Sequence, residues 1–276
     1  MVGSKGKVER FAAAHPVFTR EMFRSDLFPE QPLSSADSLL RYHTASGRFK
    51  HVAPGVYAVV PAHLRHMSFQ PDRYLVASMI RADGVIAFHS ALDLHGLAYS
   101  DASEILVLSH SRPGAVKTEI GTVRFVMYPA ALRRQHSERD GVTTLDRRGL
   151  DVAITGLERT LVDCLEYPDY AGGIEELAHA LNAVEAIDSE FLVEMTLRRR
   201  SRVLAGMVGW WLETRSQDFL VDPRLLDRLR AEMPSSMRPV LGTSAENGYA
   251  VPSWRILLPE LIANPRFEDV PQGPAF

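Results

Sequence analysis

The sequence predicts an α+β protein, mixed α/β overall, in two parts: a winged helix-turn-helix over residues 1–66 and a larger mixed α/β domain over residues 67–276. Three observations predict it. A chain of 276 residues suggests two domains at roughly 100–200 residues each. Three short amphipathic segments and two β-prone runs about Pro54-Gly55 fill the first sixty residues. Beyond them, helical and strand-like segments mix without the regular alternation of a doubly wound sheet.

In order, Val8, Phe11, Ala12 and His15 fall at i, i+3, i+4 and i+7, one face of a helix that Pro16 ends. Thr19 is placed to cap a second helix over 20–27, with Met22, Phe23 and Leu27 inward. A turn with two prolines over 28–32 follows. Ser34 or Ser35 is expected to cap a third helix running to Ala45, with Gly47 at its C-terminal cap. The runs 48–52 and 56–60 form a hairpin across Ala53-Pro54-Gly55. Pro61 and Pro71 bracket a linker. Helices are expected over 72–82, 87–97, 156–166, 172–184, 189–199, 203–213 and 223–232, and strands over 105–108, 123–128 and 151–155. Further β-prone runs lie near Val240 and over 254–258, and the tail after Pro265 reads as loose.

The net charge of −3 conceals a split. Residues 1–66 hold nine Lys/Arg against five Asp/Glu, and residues 67–276 hold 22 against 29. A basic module on an acidic one suits nucleic-acid binding by the smaller part. No apolar run approaches the ~18 residues of a membrane span, so no membrane partner is expected. The N-terminus lacks the apolar core of a signal peptide. Cys164 is the one cysteine, which excludes an intrachain disulfide and a thiolate-rich zinc site. The cytoplasm is the expected compartment.

The third helix carries the pattern of a DNA-reading element, with one face packed and the other short, polar and basic. Its inner arc takes Ala36, Leu39, Leu40 and His43. Its outer arc takes Asp37, Ser38, Arg41, Tyr42 and Ala45, and Arg41 is the residue type best suited to guanine O6 and N7. Ser34, Ser35 and the free amides of the helix start are candidate phosphate contacts. Arg48, Lys50 and His51 lie on the hairpin, placed to grip backbone or minor groove.

Several stretches carry a resemblance to a known family: Gly47-Arg48-Phe49 leading to Ala53-Pro54-Gly55-Val56-Tyr57-Ala58; Phe88-His89-Ser90-Ala91-Leu92 with Leu94-His95-Gly96-Leu97; and Glu158-Arg159-Thr160-Leu161-Val162-Asp163 followed by Gly172-Gly173. Over about residues 15–215 the chain resembles the AbiEi-type antitoxins, the regulatory halves of abortive-infection type IV toxin–antitoxin operons. The resemblance implies an N-terminal domain that binds repeats in its own promoter, on double-stranded DNA, and represses it. It also implies a C-terminal domain that counteracts a nucleotidyltransferase-like toxin where one is encoded nearby. Solitary relatives have no toxin gene beside them.

Read for themselves, Arg159 and Asp163 are spaced i, i+4 and can pair on one helix face, with Leu157, Leu161, Cys164 and Leu165 on the buried side. Glu158 suits a helix start. Residues 158–194 hold ten Asp/Glu and one Arg, a surface that would complement a basic cleft on a partner, or else only solvated helix faces. Glu158, Arg159, Asp163, Glu175 and Glu176 are therefore the candidate partner-binding residues. Arg198-Arg199-Arg200 with Arg202 reads as a second phosphate contact or as a charged helix end. Enzyme motifs are lacking. His89 and His95 are six apart with no third ligand, Ser90 has no G-x-S-x-G context, and no phosphate loop occurs. No catalytic residue, metal or cofactor is expected. A stand-alone transcriptional regulator with a ligand-sensing or dimerising second domain is the alternative, and an enzyme with a helical adaptor the third reading.

Overall fold

The computed structural model describes residues 2–29, 33–65, 67–244 and 246–264. The expected turn at 28–32 lies partly outside the described residues and the tail after Pro265 wholly so. In chain order the elements are α1 Val2–Ala14, β1 Val17–Thr19, α2 Arg20–Leu27, α3 Leu33–Ala45, β2 Phe49–Ala53, β3 Val56–Val59, α4 Arg73–Ile80, β4 Val85–Ile86, α5 His89–Leu94, β5 Glu104–Ser109, β6 Gly114–Thr118, β7 Gly121–Met127, α6 Ala130–Gln135, β8 Val142–Arg147, β9 Leu150–Thr155, α7 Leu157–Glu166, α8 Ile174–Ala183, α9 Ser189–Arg198, α10 Arg202–Thr214, α11 Pro223–Glu232, β10 Arg238–Pro239, β11 Gly248–Val251, β12 Ile256–Pro259 and α12 Glu260–Ala263. The fold is α+β.

The chain forms two compact units that are interleaved in sequence. The first takes residues 1–87, 103–128 and 142–155, and the second takes 88–102, 129–141 and 156–276. The boundary expected at 66/67 falls inside the first unit's opening segment.

In the first unit, α1 to α3 pack around an antiparallel sheet of order β1-β3-β2. Thr19 caps α2 as expected, its hydroxyl accepting from the Met22 N–H at 3.1 Å. The core between them is aromatic: Phe11, Phe18, Phe23 and Phe49 are buried with Val8 and Leu40, and the Phe18 and Phe49 rings meet edge to face at 5.0 Å. Each such burial contributes about 1.5–3 kcal/mol. Gly47, at a φ of 69°, lets the chain leave α3, and the Arg48 N–H closes on the His43 carbonyl at 2.9 Å.

The same unit holds a mixed six-stranded sheet of order β6-β7-β5-β4-β9-β8, parallel at β5/β7 and β4/β9. Helix α4 packs on strands of both sheets, which is why four consecutive residues, Tyr74, Leu75, Val76 and Ala77, are buried. Asp72 caps it, accepting from the Tyr74 and Leu75 N–H groups, and also takes the Arg147 guanidinium at 2.7 Å. The helix expected over 87–97 is present but short, the six-residue α5, which begins after Phe88 at a φ of 55°. Before it, Val85 and Ile86 pair with β5, and Ile86 pairs also with Ile154 of β9.

The second unit is helical, α5 to α12, with a small sheet of order β10-β12-β11. Trp254 is fully buried against α10, and its indole N–H donates to Glu213 Oε2 at 2.8 Å. A Cβ on Gly209 of α10 would overlap that ring. Gly209→Ala should therefore destabilise the protein by about 1–3 kcal/mol through overpacking, although alanine is the better helix former. Thermal unfolding checks this, and a raised unfolding temperature would contradict it.

Candidate nucleic-acid interface

Helix α3 presents the division that its sequence predicts. Ala36, Leu40 and His43 are buried, Leu39 is half-buried, and Ser34, Ser38, Arg41, Tyr42 and Ala45 are exposed. Ser34 and Ser35 do not cap the helix. It begins at Leu33, so both lie inside its first turn, and the Ser34 carbonyl accepts from the Ser38 hydroxyl at 2.7 Å. Tyr42 stands 66% exposed, unusual for so large a ring on a packed helix. His43 lies against Phe49 with ring centroids 5.1 Å apart. Burial, aided by the charges of Arg48 and Arg65, holds its imidazole below the ordinary histidine pKa.

Asp37 does not point freely outward. Arg20, the first residue of α2, grips it on both carboxylate oxygens, through Nε at 2.7 Å and through Nη2. Those hydrogen bonds hold the carboxyl below the usual range, and the charges of Arg20, Arg41 and Arg24 act in the same direction. Arg20 grips the carboxylate, and Arg41 reaches the main-chain carbonyl of the same residue. Neither Arg20 nor Arg24 stands out in the local sequence pattern, because the pairing joins positions seventeen apart.

On the hairpin, His51 is exposed on β2 and Arg48 is half-buried. The Lys50 ammonium lies 3.0 Å from Glu119, in the turn between β6 and β7, and 3.4 Å from the Phe69 carbonyl. This exposed ion pair is worth about 0–1 kcal/mol, yet it neutralises the charge expected to meet phosphate.

The candidate partner-binding residues of the second unit fall into two groups. Glu175 is exposed and Glu158 half-buried, the latter accepting from the Asp188 N–H at 3.1 Å. Arg159, Asp163 and Glu176 lie inside the fold and cannot touch a partner from there. Helix α7 is buried all round from Arg159 to Leu165, so its polar stripe does not face solvent opposite an apolar one. Asp163 sits between Arg159 at 3.4 Å and Arg199, and Arg159 Nη1 also donates to the Glu138 and Asp140 carbonyls. Glu176 accepts from the Tyr99 N–H at 2.6 Å and from the Ser100 N–H and hydroxyl, and lies 3.3 Å from His89 Nε2. Gly172 makes room for this: a Cβ there would press on His89 and Glu176. Of the arginine run, Arg199 is spent on Asp163, Arg198 on Asp140 and Glu194, and Arg200 and Arg202 are exposed. The Cys164 thiol is buried, and burial raises its pKa far above the reactive range.

Among the described residues no helix is long and apolar enough to cross a membrane, and no group of three or more His, Cys, Asp or Glu could hold a metal ion. No family model matches the chain, and no curated protein does. Among solved structures, the chain is similar to the crystal structure of the RV2827C protein from Mycobacterium tuberculosis, with a TM-score of 0.57 and 17% sequence identity, over 95% of this chain and 92% of that one. At that identity the likeness shows the fold alone.

Two outcomes follow from the geometry. Asp163→Ala removes the carboxylate that two buried guanidiniums share and should cost about 3–5 kcal/mol in chemical denaturation, where a loss below 1 kcal/mol would contradict the buried pairing. His43 carries the opposite kind of signature. Its folded pKa is depressed, so the stability it contributes is present above about pH 6.5 and is lost as pH falls through the depressed value. His43→Leu should flatten the fall in unfolding temperature between about pH 7.5 and 5.5, and an unchanged slope would show that His43 takes no part.

Proposed function

We propose that this protein is a sequence-specific DNA-binding regulator whose N-terminal elements form a winged helix-turn-helix. It represses its own operon, and the rest of the chain counteracts a nucleotidyltransferase-like toxin. The observation that carries the DNA half is the exposed face of α3, where Ser34, Ser38, Arg41 and Tyr42 are exposed and Arg20 holds Asp37 of the same helix. The order α1-β1-α2-α3-β2-β3, with a packed third helix followed by a hairpin, supports it. Arg41 reads base edges in the major groove, and the exposed serines and His51 meet phosphate. Lys50 contributes less than a free cation, because Glu119 holds it.

The antitoxin half rests on the family resemblance and on an exposed acidic set, Asp169, Glu175, Glu185, Asp188 and Glu190, suited to a basic nucleotide-handling cleft. The role is one of binding, without catalysis or a cofactor, and belongs in the cytoplasm. If no toxin gene adjoins this one, the stand-alone regulator takes precedence.

The test is an anisotropy titration against the gene's own upstream DNA, with scrambled DNA as competitor and salt varied. Arg41→Ala should cost about 1–3 kcal/mol and relax base preference. Lys50→Ala should lower the salt slope by less than the roughly one unit of a free phosphate contact. Parent-like binding by Arg41→Ala would remove the α3 face from the reading. For the partner, changing Glu175 and Glu185 to Lys should abolish toxin capture; undiminished capture would remove the acidic surface.

A further inference from the structure

A carboxylate on a DNA-reading face is a liability. It repels phosphate and the guanine O6 and N7 acceptors, and finds a partner only in the amino groups of cytosine or adenine. Asp37 occupies such a place beside Arg41, yet both of its oxygens are taken by Arg20. A guanidinium has five N–H donors in a fixed fork. This edge-on grip consumes two and leaves the Nη1 group to point away from the carboxylate. The Arg20 side chain remains 56% exposed.

The main chain of Arg20 is fixed as well. It follows the Thr19 cap directly, and its N–H donates to the Gly55 carbonyl at 2.9 Å, in the turn between β2 and β3. Arg41 by comparison has one longer bond, from Nε to the Asp37 carbonyl at 3.3 Å. A guanidinium held at both ends has given up its rotamer freedom before any ligand arrives, which favours contact over an unrestrained arginine.

We propose that Arg20 is a DNA contact of this protein and that Asp37 is its positioning residue, in place of the base-reading role expected for Asp37. The inference rests on the DNA-binding reading above. Arg20 presents its free donors to a phosphate or a guanine edge, and its grip keeps the Asp37 carboxylate from repelling the duplex.

The experiment is a double-mutant cycle on the full chain, titrating the parent, Arg20→Ala, Asp37→Ala, Asp37→Asn and the Arg20→Ala/Asp37→Ala pair against upstream and scrambled DNA. Arg20→Ala should weaken upstream binding about tenfold or more, because it removes a cation and bares a carboxylate. The double variant should bind at least as well as Arg20→Ala. Asp37→Ala should lower the preference for upstream over scrambled DNA without weakening scrambled binding, a change that lost stability alone would not produce. Asp37→Asn, which keeps one acceptor for Arg20, should fall between Asp37→Ala and the parent. Parent-like binding by Arg20→Ala, or a double variant that loses the product of the two single losses, overturns the proposal while leaving the DNA-binding reading intact. A folded parent with no preference for its upstream DNA overturns both.

Discussion

Asp163 has no contact with solvent, and two guanidiniums share it. A lone buried carboxylate would be intolerable, as would either arginine without it, so the three side chains demand one another. Through them α7 is tied to the C-terminal end of α9 and to the turn at 138–141, whose carbonyls complete the Arg159 shell. The second unit is thus organised around a polar centre as much as an apolar one. Such a centre is less forgiving than hydrophobic packing, because its cost is met only in one arrangement. The Glu176 carboxylate, thirteen positions on, pins Tyr99 and Ser100 to α8 beside His89.

This arrangement gives Arg159, Asp163 and Gly172 roles inside the fold. The i, i+4 spacing of Arg159 and Asp163 correctly suggests a helical pair, but spacing says nothing about burial. Arg199, the residue that completes the centre, stands thirty-six positions from Asp163 within an arginine run that reads as a charged surface. The same limit recurs in the N-terminal elements. The packed and exposed faces of α3 are legible from periodicity, and the α2 cap from Thr19 alone. The grip of Arg20 on Asp37 and of Glu119 on Lys50 is not, since each joins segments that only the tertiary fold brings together. Among the strands, buried β5 and the half-buried β7 are legible as strand-like runs. The edge strands β6 and β8, with polar sequences such as Val142-Thr143-Thr144-Leu145-Asp146-Arg147, resemble loops until their pairing is known.

Charge is handled differently in the two units. In the second, Asp163 is buried between two guanidiniums and Glu176 is buried on main-chain N–H donors, while Asp169, Glu175, Glu185, Asp188 and Glu190 stay exposed. Around α3 it is kept at the surface, where Arg20 holds Asp37 and Arg41 is exposed.

The interleaving of the two units bears on how the chain is made. The six-stranded sheet closes only with β8 and β9, so a nascent chain that has delivered the first sixty residues to the outside of the ribosome has not yet supplied Glu119 for Lys50. The N-terminal elements must wait for sequence synthesised much later before their surroundings are complete. Pairing over such separations is slow to form. Folding of this protein is therefore expected to lag behind translation until residue 155 has emerged, and not to proceed domain by domain from the N-terminus.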